Sequence, residues 1–105
     1  MASTKAYLDF VLEQLSELED VSYRAMMGEY VLYCRGRVIG GVYDDRFLIK
    51  QTPAALRLLD AEGLVPQFDV PYPGATEQLV APVDERALLT RIVGAIADEL
   101  PKTKR

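Results

Sequence analysis

The sequence predicts an α+β fold, an antiparallel sheet of about four to five strands with helices mainly on one face. Three observations predict it. The stretch from Tyr23 to Lys50 alternates apolar and polar residues between short turns. An amphipathic segment of helical period lies near each end of the chain. The connections within Tyr23–Lys50 are far shorter than the dozen or more residues a parallel crossover needs, so neighbouring strands must run antiparallel.

The first element is a helix over residues 4–19. Leu8, Val11, Leu12, Leu15 and Leu18 recur at the spacing of one buried face, with Asp9, Glu13 and Glu17 on another. Ser3 or Thr4 is placed to cap its first N–H groups. Glu19 and Asp20 oppose the negative end of the helix dipole and favour a stop there.

Strands follow over 21–26, 29–34, 37–43 and 46–50, the second rich in Tyr and Val. Gly28 marks a turn or bulge, Arg35-Gly36 a two-residue hairpin loop, and Asp44-Asp45 a further turn. Thr52-Pro53 opens a second helix, with Thr as cap and Pro in its first turn, and Gly63 ends it in a left-handed conformation. Leu56 and Leu59 are its core-facing residues.

Pro66, Pro71, Pro73 and Gly74 make 65–75 irregular, with a brief extended piece near 68–70. A fifth strand is expected over 77–81. Asp84 is expected to cap the last helix, which runs to about Glu99 with Leu88, Leu89, Ile92, Val93, Ile96 and Leu100 as its buried stripe. Pro101 marks its end. The order is α-β-β-β-β-α-β-α, and segregating the helices to one sheet face is the natural packing.

At 105 residues the chain is read as a single domain over 1–100 with a basic tail at 101–105. That length suffices to bury one core without disulfides or metal. Half of the residues are hydrophobic, yet no apolar run approaches the roughly 18 residues of a membrane span. The N-terminus lacks the pattern of a signal peptide, so a cytoplasmic location without membrane attachment is expected. One cysteine, Cys34, cannot make an internal disulfide, which fits a reducing compartment.

There is no histidine, which excludes Ser-His-Asp and Cys-His catalysis and the usual His-containing metal sites. Net charge is −4. Leaving out the five-residue tail leaves nine basic against sixteen acidic residues, a balance that repels a phosphate backbone.

The candidate chemistry is sparse. Cys34, beside Arg35, is read as core packing rather than as an activated thiol. Asp44 and Asp45 are read as turn residues rather than metal ligands. Gly40-Gly41 is read first as a β-bulge, with close approach of a ligand or another backbone as the alternative. Of Met26 and Met27, strand alternation leaves at most one available for binding.

Arg24, Arg35, Arg37, Arg46 and Lys50 concentrate positive charge on the sheet, interleaved with Tyr23, Tyr30, Tyr33 and Tyr43. Three readings of this set stay open. One is a solvated face with cross-strand ion pairs to Glu29, Asp44 and Asp45. Another is an anchor for an acidic protein surface. The third is a stacking platform for single-stranded nucleic acid.

Several of these residues carry a resemblance. Arg24 and Met26 before Gly28, the strand containing Tyr30, the Gly36 turn, the strand ending Leu48-Ile49-Lys50, and Tyr72-Pro73-Gly74 with the closing amphipathic helix resemble the N-terminal domain of the TfoX/Sxy family of bacterial competence regulators. The resemblance covers nearly the whole chain. It implies a secretion-chaperone-like α+β fold that often forms homodimers, and regulation through protein contacts. Longer family members act with a cyclic-AMP-receptor-type transcription factor and carry a further C-terminal domain. A chain ending at Arg105 is therefore expected to be a stand-alone N-terminal domain.

The expected function is a non-enzymatic regulatory module that binds a protein, with a transcription regulator as the candidate partner and a homodimer as the candidate assembly. Arg24 and Lys50 are the expected partner-binding residues. No catalytic residue, metal or cofactor is expected. The alternatives are a nucleic-acid-binding domain using the Arg/Tyr face, and a small enzyme of unknown reaction built on carboxylates, Tyr, Lys or Cys34.

Overall fold

The computed structural model describes residues 3–100. The elements are α1 (Lys5–Gln14), β1 (Val21–Met26), β2 (Glu29–Cys34), β3 (Arg37–Tyr43), β4 (Arg46–Ile49), α2 (Pro53–Ala61), β5 (Phe68–Asp69), β6 (Gln78–Val80) and α3 (Arg86–Glu99). The strands form one antiparallel sheet in the order β1-β2-β3-β4-β6-β5. The α+β architecture and the order of elements are as the sequence predicts, with one strand more. The brief extended piece at Phe68–Asp69 pairs with β6 and becomes the outer strand on that side.

Three hairpins build the sheet from β1 to β4. Their two-residue loops are Met27-Gly28 (φ 52° and 85°), Arg35-Gly36 (53° and 78°) and Asp44-Asp45 (52° and 56°). Positive φ at both central positions is the type I′ turn, whose twist matches that of the flanking strands. The third loop adopts it without glycine, because Asp tolerates the left-handed region better than most residues.

The helices cover one face. α3 packs over β2 and β3 and lies against α1 and α2. Of its predicted stripe, Leu88, Leu89, Ile92, Val93 and Ile96 are buried, joined by Ala97, while Leu100 is the C-terminal cap residue and only partly buried. Leu8 and Val11 of α1, Leu32, Phe47 and Ile49 of the sheet and Leu59 of α2 complete the core. Thr52 caps α2 through its hydroxyl, which accepts from the Ala55 N–H at 3.3 Å. At the other end Gly63 is left-handed and the Leu64 N–H reaches the Leu59 carbonyl at 3.0 Å, a Schellman closure.

Two helix ends differ from expectation. α1 stops at Gln14 rather than Glu19, and a turned segment in which the Leu18 N–H bonds the Leu15 carbonyl keeps Leu15 and Leu18 against the core. α3 starts at Arg86 with Glu85 in the cap position and no side-chain cap. Asp84 does not cap it, because a turn closed by Glu85 N–H to Pro82 carbonyl holds Asp84 outside the helix. Pro101 and the basic tail fall outside the described residues.

A bulge in β3, opposite Leu32 and Tyr33, lets Ile39 and Val42 both face the core although they are three residues apart. The expected bulge at Gly40-Gly41 is thus present at its edge. The glycines themselves serve close approach. A Cβ on Gly40 would lie 2.1 Å from the Leu48 carbonyl oxygen of β4. One on Gly41 would lie 2.6 Å from the Tyr43 hydroxyl.

Candidate partner-binding face

The helices leave the opposite sheet face open, and strand register says which residues share it. Arg24 pairs with Val31, Val31 with Gly41, Gly41 with Leu48 and Leu48 with Val80, so these five form one row across five strands. Continuing the alternation of β4 puts Lys50 on the same face, two residues beyond Leu48. Arg24 and Lys50 stand three strand spacings apart and two residues along the strand, about 16 Å at the usual strand dimensions. They share an extended surface rather than a pocket.

The interior of this face is closed over. Leu48 is fully buried although it points away from the helices. The Tyr43 ring lies across Gly41, which has no side chain to obstruct it. Burial chiefly, then the neighbouring Tyr72 and Glu29, pushes the Tyr43 phenol above its ordinary range. Arg46 holds the segment after β5 in place. Its guanidinium donates to the Asp69 carboxylate at 2.5 Å and to the Val70 carbonyl at 3.1 Å, and its Nε donates to the Tyr43 carbonyl at 3.1 Å. These bonds, Arg46 first and then the Val70 N–H, hold the Asp69 carboxyl below its ordinary range.

The five sheet cations have different fates. Arg46 is committed to Asp69, and Arg35 pairs with Asp98 of α3 at 3.1 Å and bonds the Gly94 carbonyl. Arg37 sits opposite Cys34, the core-facing end of β2. Arg24 is exposed and Lys50 half-buried, and among the described residues neither makes an ion pair.

Among the described residues the expected ion pairs to Glu29, Asp44 and Asp45 do not form, and the Glu29 and Asp45 carboxylates instead bond residues at the entry to α1. Glu29 accepts from the Ser3 hydroxyl at 2.6 Å and the Asp44 N–H at 3.1 Å. Asp45 accepts from the Thr4 N–H at 2.8 Å and its hydroxyl at 3.1 Å, and that hydroxyl accepts from the Tyr7 N–H as the cap of α1. Asp44 and Asp45 are the turn residues the sequence suggested. Among the described residues, no group of three or more His, Cys, Asp or Glu is placed to hold a metal ion.

The interleaved tyrosines do not form one platform. Tyr23 and Tyr30 pair across with Leu32 and Val42 and so lie on the helix side, in edge-to-face contact at 5.8 Å. Tyr33 and Tyr43 belong to the open face. Both methionines are accessible, against expectation. Met26 is on an outer strand and Met27 is 98% exposed in the turn, where strand alternation no longer applies. Cys34 packs in the core, and burial raises its thiol pKa more than Arg35 lowers it.

The model of the TfoX N-terminal domain matches residues 13–89. The chain belongs to the TfoX N-terminal domain family. A Spirochaeta aurantia protein described as an uncharacterized 12.7 kDa protein in the trpE 5′ region is 33% identical over 106 residues, covering 99% of this chain and 89% of that protein. In this TfoX N-terminal domain, the matched span runs from the last turn of α1 to the start of the second turn of α3 and includes Arg24, Lys50 and the whole sheet. Among the described residues, no helix is long and apolar enough to cross a membrane.

Proposed function

We propose that this domain is a non-enzymatic regulatory module of the cytoplasm that binds a protein through the open sheet face, with Arg24 and Lys50 as anchors. The observation that carries the reading is the contrast among the cations of the sheet. Arg35 and Arg46 pair with Asp98 and Asp69, whereas Arg24 and Lys50 share a face without an acidic partner among the described residues, and Arg37, also without one, lies toward the helix side. A surface with two separated cations, flanked by Tyr33 and Tyr72, suits an acidic protein face better than a small ligand. The family adds a candidate class of partner, a transcription regulator. The division of the tyrosines between the two faces counts against base stacking along a nucleic acid strand.

The test is capture of the tagged domain from its native cells with nuclease treatment and mass spectrometry, followed by affinity measurements on Arg24→Glu and Lys50→Glu. Each reversal is expected to weaken the captured complex about tenfold or more while far-UV circular dichroism stays unchanged. Folded variants that bind like the wild type would remove both residues from the interface.

A further inference from the structure

β1 is the outer strand on its side of the sheet and is exposed from Ser22 to Met26. The Met27-Gly28 turn determines which of its backbone groups are in use. A two-residue I′ loop closes on a pair that exchanges both hydrogen bonds, here Met26 with Glu29, and bonded and non-bonded pairs alternate from there. Arg24–Val31 and Ser22–Tyr33 are then bonded pairs. The Arg35 N–H donates to the Asp20 carbonyl at 2.9 Å, which continues the series. Val21, Tyr23 and Ala25 therefore turn their N–H and C=O groups away from β2, toward solvent. Within this strand there is no proline, no register shift against β2, and one charge, Arg24. Edges left this bare are templates for another strand.

We propose that β1 pairs antiparallel with β1 of a second copy of this chain, on a two-fold axis through Tyr23. Symmetry and charge select the register. A two-fold axis normal to the sheet keeps each face on its own side, and outward-facing groups must meet outward-facing groups. Centring on Tyr23 uses the whole edge. It bonds Tyr23 to its own copy and Val21 to Ala25 at both ends, about six backbone hydrogen bonds in all. Centring on Arg24 sets that cation opposite itself, a destabilising arrangement, and uses fewer bonds.

In the Tyr23 register each Arg24 lies across from Ser22 of the second copy. On the helix side Tyr23 is 42% exposed and stands at the mouth of a groove of about 520 Å³ lined by Leu12, Leu15, Leu18, Asp20, Val21 and Tyr23. The axis brings the grooves of both copies together around the two Tyr23 rings. The result is one continuous sheet through both copies, with both open faces on the same side.

Sedimentation or light scattering of the full chain from about 5 to 500 µM tests this, with two variants. Ala25→Pro removes one outward N–H and leaves the β1–β2 ladder intact, because Ala25–Tyr30 is a non-bonded pair and an edge strand tolerates proline there. Tyr23→Asp places two like charges on the axis. The wild type is expected as a dimer and both variants as folded monomers, with faster amide exchange at Tyr23 and Ala25 than in the wild type. A dimer that persists in either folded variant overturns the proposal. A wild type that stays monomeric throughout also overturns it and leaves the edge to a foreign strand. If Ala25→Pro fails to fold, Tyr23→Asp decides alone. Neither variant alters Arg24 or Lys50, so this result and partner capture are read separately.

Discussion

Replacing Gly40 by alanine adds one methyl group against the backbone of β4. The new Cβ would lie 2.1 Å from the Leu48 oxygen, 2.8 Å from the Ile49 Cα and 3.0 Å from the Leu48 carbonyl carbon, all backbone, whereas ordinary contact begins at 3.4 Å. No side chain can rotate out of the way, so β4 must retreat by more than about 1 Å. That displacement carries ladder bonds of about 2.9 Å past their useful length. Overpacking alone costs about 1–3 kcal/mol, and each weakened bond adds about 0.5–1.5 kcal/mol. Against this, alanine restricts the unfolded chain and returns about 0.4–1 kcal/mol. The net loss is about 2–4 kcal/mol, which lowers Tm by at least about 10 °C in a domain of this size. Gly94 is the control. On α3 its added Cβ would meet only the Leu18 Cδ2 at 3.5 Å, so Gly94→Ala is expected to stabilise by about 0.5–1 kcal/mol. Urea denaturation of the three proteins measures both. A Gly40→Ala protein within about 0.5 kcal/mol of the wild type, or shifted in the same direction as Gly94→Ala, would refute the close-approach reasoning.

Two further predictions concern caps and acid. Thr52→Ala removes the α2 cap and is expected to cost about 1 kcal/mol, whereas Asp84→Ala, outside α3, is expected to leave stability within about 0.5 kcal/mol; thermal melts compare the two. The Asp69 carboxyl is held below its unfolded value of about 4, so the unfolded chain binds its proton first as pH falls. Its contribution is therefore fully present above about pH 4 and is lost as pH drops through the depressed folded value. Arg46→Met should abolish that component, so urea denaturation from pH 7 to pH 2 should show the stability gap between wild type and variant narrowing in acid. A gap independent of pH would remove Asp69 as its source.

Much of this fold was legible because the decisive interactions are local. Two-residue loops force antiparallel hairpins, and Thr52-Pro53 and Gly63 delimit α2 through bonds within a few residues. The helical stripes of α1 and α3 follow from period alone. Asp84 misled because a residue suited to capping is not a cap when the preceding turn, here at Pro82, sets the helix start. Phe68–Asp69 is only two residues long, and it is a strand because β6 arrives beside it.

The candidate site was less legible, because a sequence gives alternation but neither partners nor interruptions. Resemblance and charge alone point to Arg24 and Lys50. Their shared face and their separation emerge only from register across four strands. Arg46 looks like its neighbours until Asp69 folds against it. Tyr23 and Tyr33 fall on opposite faces, and the bulge at Ile39 shifts the phase of β3. The sequence by itself determined the α+β class, the hairpins, the helix stripes and the want of histidine chemistry, because each is set by composition or by residues near in the chain. Only the tertiary structure decided which cations pair with acids distant in the chain, why Gly40 and Gly41 must lack side chains, and that β1 is left as an open edge. Those are relations between residues distant in sequence, and packing alone brings them together.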